Sequence, residues 1–224
     1  MTLNEVMSQL QALGSEKAIE MNTRHGVSGK QFGVKNGDLR PIAKAIKSDP
    51  ELTWQLWDSE YHEARMLATL IWNPKKLTEE EVERLVSQPA NSFQSDWLNS
   101  NVMKALPNKE AFRLKWMTST DPMTLRSAWS LTTERVVKNR EGLDLTALLD
   151  RIEKEMLDAP EANRWMMNYC LAEIGINSPE HRDRAIAIGE KLGVYRDYKV
   201  SKGCTSPFAP IWIKAMVDRA EATS

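Results

Sequence analysis

The feature that most constrains this chain is its punctuation: helix-period apolar stripes recur at short intervals between caps and breakers, and no convincing period-2 stretch interrupts them. Thr2 with Glu5, and Thr78 with Glu81, have capping-box spacing, in which each side chain satisfies a backbone N–H at the helix start. Asp38 precedes a stripe of Leu39, Ile42, Ala43 and Ile46. Pro50 opens a short helix rich in Trp54, Trp57, Leu52 and Leu56, and Asn73-Pro74 closes the next one. Further helical segments are expected near 78–87, 92–106, 109–118, 122–138, 144–157, 161–175, 178–192 and 207–221. Short helices joined by short breakers make hairpins, and hairpins stacked side by side make an all-α superhelix of HEAT-like or armadillo-type repeats with a concave groove. A compact helical bundle is the alternative. One domain over residues 1–224 is expected.

Composition narrows the function classes. Hydrophobic residues make up 42% and charged residues 27%, which excludes a disordered chain. No apolar run is long enough to cross a bilayer, and the amphipathic start carries no leader pattern, so a cytoplasmic protein is expected. Cys170 and Cys204 lie far apart with no Cys-x-x-Cys pair, which gives neither a disulfide framework nor a zinc knuckle, and both are read as half-buried thiols. His62-Glu63-Ala64-Arg65 lacks the second histidine of a zinc helix and reads instead as a tie between neighbouring helices. No metal or cofactor is expected.

The formal net charge of −1 conceals a dipolar distribution. Arg24, Lys30, Lys35, Arg40, Lys44 and Lys47 face only Asp38 in their stretch, whereas acidic residues gather at 79–83 and 153–161. Within the basic stretch, Gly29, Gly33 and Gly37 suit a tight loop that exposes backbone N–H groups ahead of a helix N-terminus, an arrangement suited to phosphate. It lacks the Gly-Lys-Ser/Thr ending of a Walker loop, and a plain helix-linking turn is the alternative. A second basic set, Arg126, Arg135, Lys138 and Arg140, is either a solvated helix face or a row of phosphate contacts. The loop 200–207 reads as structural, with Ser206 a cap ahead of Pro207.

The run FGVKNGDLRPIAKAI, followed by LWDSEYHEARMLATLIW, resembles the AlkD-like family of bacterial DNA alkylation repair proteins, as do RWMMNYCLAEIGI and GEKLGVYRDYKVSKGCTSPFAPIWI farther on. The resemblance implies a HEAT-like solenoid that clasps duplex or branched DNA through phosphate contacts from Lys30, Lys35, Arg40, Arg126, Arg135 and Lys138. It also implies hydrolysis of the N-glycosidic bond of N3- or N7-alkylated purines, with neither metal nor cofactor. The cationic purine leaves unaided, and a carboxylate and tryptophan faces stabilise the charge that develops on the sugar.

That family site pairs a tryptophan with an aspartate four residues later. Here Asp96 can take the carboxylate position, which puts Ser92 at the tryptophan position; alternatively Phe93 takes the aromatic position, which puts Trp97 at the carboxylate. The resemblance carries Asp96 as the catalytic carboxylate and Arg126 as the family arginine. The second tryptophan would fall within RWMMNYCLAEIG, where Trp165 is displaced towards the helix start. A helix cap is the structural alternative for Asp96, and core packing that for Trp54, Trp57, Trp72 and Trp116. The contrasting function is a repeat scaffold that holds a protein partner instead of DNA.

Overall fold

The computed structural model describes residues 1–222, and every regular element among them is helical. Two compact units divide the chain, one over Met1–Ala111 and one from Phe112 onward.

The first unit contains α1 (Leu3–Leu13), α2 (Glu16–Arg24), α3 (Asn36–Ile46), α4 (Pro50–Asp58), α5 (His62–Ile71), α6 (Glu79–Ser87) and α7 (Ser92–Asn101), with short 3-10 turns at Pro74–Lys76 and Met103–Ala105. Both expected capping boxes form, at Thr2 and Thr78. In α6 the three glutamates of the first turn favour the positive helix end, while Val82, Leu85 and Val86 bury one face. Helix α5 is the spine of this unit and packs against α3, α4 and α7. It is buried almost all round, from His62 to Ile71, so its sequence shows no polar face. Trp72 meets the rings of both Trp54 and Trp57 edge-on at 5.2 Å; the expected core role holds for Trp57, Trp72 and Trp116, which are buried, whereas Trp54 is only half-buried.

Helix α3 begins at Asn36, three residues before the expected start at Leu39, which places Pro41 in its second turn. Proline in a helix clashes with the carbonyl four residues back. That residue is Gly37, exposed and without a side chain, where the backbone can yield.

The second unit follows α8 (Lys109–Trp116), which spans the division, and contains α9 (Pro122–Lys138), α10 (Leu145–Glu155), α11 (Glu161–Asn177), α12 (Pro179–Leu192) and α13 (Ala209–Ala222). Its core joins Trp129, Val136, Leu149, Ile152, Cys170, Leu171, Ile174, Ala185 and Ile213. Helix α11 packs against α9, α12 and α13 and is nearly surrounded. Close approach is set by two glycines: a Cβ on Gly175 would lie 2.5 Å from Ile213 Cδ1, and one on Gly189 2.6 Å from Pro210 Cδ. Gly193 ends α12 in the left-handed conformation, φ +63.

The two thiols differ from expectation. Cys170 lies in the core, where burial pushes it up to about 12, whereas Cys204 is exposed. No group of His, Cys, Asp and Glu among the described residues could hold a metal ion, and no helix among them is long and apolar enough to cross a membrane.

Candidate nucleic-acid interface

The glycine-rich loop ahead of α3 adopts the tight geometry its glycines predict, but its amides are already engaged. The Glu63 carboxylate, 1% exposed, accepts hydrogen bonds from the backbone N–H groups of Phe32 (2.9 Å), Gly33 (2.8 Å) and Val34 (3.2 Å). The expectation that these N–H groups await a phosphate is therefore corrected: a side-chain carboxylate fills the cradle. Gly33 is required there, since its φ is +76 and a Cβ would lie 2.3 Å from the Ser15 carbonyl oxygen.

Around Glu63 the rest of the motif ties helices together, as expected. The His62 backbone N–H donates to the Lys30 carbonyl at 2.8 Å, and its ring meets the Gln94 side chain at 3.2 Å. Burial holds the His62 pKa below its usual value, with the Glu63 charge acting the other way. Arg65 donates to the carbonyls of Trp57 and Gln88 while lying over the Trp57 ring. The motif thus fastens the basic loop to the spine helix.

What remains at the surface is charge. Lys30 reaches Glu60 at 3.4 Å in solvent, while Lys35, at the start of α3, is exposed. Arg40 and Lys44 on α3 and Lys47 just past its end are all exposed, and with Ala43 and Leu70 they line one shallow depression. Arg40 and Lys44, four residues apart, share a face of α3, and Lys47, the residue that caps its C-terminal end, continues the row beyond the helix. The Arg40 guanidinium also lies over the ring of Trp97, 5.8 Å from its centroid. Asp96 precedes Trp97 on α7. Asp96 is half-buried in the second turn, and the N-cap of α7 is Asn91, so Asp96 is no cap. Ser92, one turn before it, supplies no ring.

The second basic set is built differently. Arg126 is 2% exposed, and its guanidinium donates to the Ala162 carbonyl. Its placement corrects the expected surface contact: α9 is packed over most of its circumference, and position 126 falls on the side enclosed by α11. Arg135 turns back on its own helix end, donating to the carbonyls of Asn139 (2.8 Å) and Glu141 (2.7 Å). Lys138 is exposed and pairs with Glu134 at 2.7 Å. Trp129 is fully buried under Arg151, whereas Trp165 is half-buried beside Tyr195 and Tyr198.

A model of the family described as DNA alkylation repair enzyme matches residues 6–212, nearly the whole chain. The chain belongs to the DNA alkylation repair enzyme family. Uncharacterised proteins of Listeria innocua and Listeria monocytogenes are similar to it throughout. The first is 24% identical, covering 97% of this chain and 98% of its own length; the second is 23% identical, covering 98% and 99%. A solved structure superposes with a TM-score of 0.81 at 24% identity, covering 98% of this chain and 95% of that one. It represents proteins described as a new family related to the HEAT-like repeat DNA glycosylases, with affinity for branched DNA structures. This member of the DNA alkylation repair family thus has the expected all-α, HEAT-like repeat fold.

Two features of this family member escaped its sequence as site residues. Lys44 and Lys47 complete the α3 row, and their spacing from Arg40 was the available clue. Glu63 gave no clue, because its three donors lie about thirty residues earlier.

Proposed function

We propose that this member of the DNA alkylation repair family binds DNA through phosphate contacts, with Lys30, Lys35, Arg40, Lys44 and Lys47 as the main cationic row and Lys138 as a contact on the second unit. The observation that carries this reading is the cationic row of α3: Arg40 and Lys44 on one helix face with Lys47 at its end, all exposed around one depression, behind a loop that the buried Glu63 fastens to the spine. Fixed cations position a polyanion without reading its sequence. Arg126, buried, acts from behind the surface, and Arg135 braces the end of α9. The affinity for branched DNA of the structurally similar proteins supports branched DNA as a ligand class for this chain.

Excision is a separate step on the same surface. Asp96 is the carboxylate that would stabilise positive charge on the sugar. The residue one turn before it is Ser92, which supplies no ring, and the Arg40 guanidinium lies over one face of Trp97. These contacts favour binding without excision.

One experiment separates the two. Fluorescence anisotropy with an alkylated duplex is expected to show binding by the wild type and a loss of about tenfold or more in Arg40→Glu/Lys44→Glu. Equal affinity of this variant and the wild type would remove the phosphate row. Release of alkylated purine by the wild type, lost in Asp96→Asn, would add excision to binding.

A further inference from the structure

We propose that the segment after α12 is a stacking platform for unpaired nucleobases, a role that rests on the DNA-binding reading and names the part of a DNA ligand this unit meets. Three rings converge there. Trp165 from α11 lies 5.1 Å from Tyr195 and 6.0 Å from Tyr198, and the two tyrosines meet edge-on at 5.8 Å. Trp165 packs against the edge of the core and, like Tyr195, is half-buried, while Tyr198 is 51% exposed. Neither tyrosine belongs to the buried core around Trp129 and Leu171.

The rings are held in place. Tyr195 sits in the left-handed region, φ 61, which a bulky residue rarely adopts. Its hydroxyl donates to Glu161 at 2.6 Å. Burial and this hydrogen bond both raise the Tyr195 pKa, which keeps the phenol protonated and the bond in place. Arg196 is anchored on Glu190 at 2.8 Å and over the Phe208 ring. The backbone N–H of Tyr198 closes a turn on the Tyr195 carbonyl at 3.1 Å, so the exposed ring projects from a fixed turn.

Charge identifies the occupant. Lys199 and Lys202, both exposed, follow the rings in sequence, and Asp197 is the only acidic residue between Gly193 and Phe208. An exposed ring, Tyr198, backed by two half-buried ones and followed in sequence by exposed lysines, matches a strand whose bases stack while its phosphates meet cations. Duplex bases are stacked on each other and offer no face, so the platform acts only where bases are unpaired, as at a branch or gap. An acidic peptide would use the lysines but gain little from a ring cluster of this kind.

Anisotropy with two DNAs of equal length, one fully paired and one carrying an unpaired single-stranded arm, tests the platform in wild type, Tyr198→Ala and Tyr198→Phe. Tyr198→Ala is expected to weaken binding of the armed DNA about tenfold, in line with the value of a base–aromatic stack, and to leave the paired duplex unchanged. Tyr198→Phe is expected to restore the wild-type affinity. Wild-type binding with no loss in Tyr198→Ala, or an equal loss on both DNAs, overturns the platform alone. Failure of the wild type to bind either DNA overturns the DNA-binding reading together with it.

Discussion

At the scale of single residues, the molecule turns on Glu63. Its carboxylate gathers three backbone donors from a loop far away in sequence, replacing the water those amides would otherwise bind. Glu63→Gln puts an amide donor where an acceptor is needed, and is expected to cost about 2–3 kcal/mol in urea denaturation. A variant within experimental error of wild type would mean that the loop holds itself. The neighbouring His62 gives a pH signature. Burial lowers its pKa in the folded state below the ordinary histidine value of about 6.5, so the unfolded chain takes up a proton that the folded chain refuses. Its stabilising contribution is complete above pH 6.5 and declines as pH falls below it. Thermal melts from pH 7.5 downward should show this decline, and His62→Gln should flatten it.

At the scale of elements, helix positions were legible because caps and breakers act locally: the two capping boxes, Pro50, Asn73-Pro74 and Gly193 stand where the chain turns. Contacts between elements were not. Arg126 reads as a surface cation until α11 covers it, and the loop amides read as a phosphate cradle until α5 delivers Glu63. Periodicity could not warn of either, since α5 and α9 are buried nearly all round and so lack a polar face to orient them. The close approach of α12 to α13 in the second unit makes its own prediction. A methyl group on Gly189 would meet the rigid ring of Pro210 at 2.6 Å, which cannot move without shifting α13. Gly189→Ala is therefore expected to destabilise the protein by about 1–3 kcal/mol in denaturant unfolding, despite alanine's better helix propensity. A stabilised variant would show that α12 and α13 separate freely.

At the scale of the whole molecule, a near-neutral chain can be a DNA-binding protein only if its charge is segregated, and here it is. Basic residues line α3, and the acidic groups of α6 and α10 lie on other helices. Family membership was legible because the glycine loop and the His-Glu-x-Arg helix are one mechanical unit, a cradle and its carboxylate. The catalytic pair was not, because no single register of α7 sets an aromatic residue four positions ahead of a carboxylate: Ser92 stands one turn before Asp96, and Trp97 one turn after Phe93. The most direct test of DNA binding is a salt titration of affinity for duplex and branched DNA. The logarithm of the binding constant is expected to fall linearly with the logarithm of salt concentration, with a slope on the order of −4 for a row of about five phosphate contacts. Affinity no greater than that of an inert acidic protein, or indifferent to salt, would contradict it.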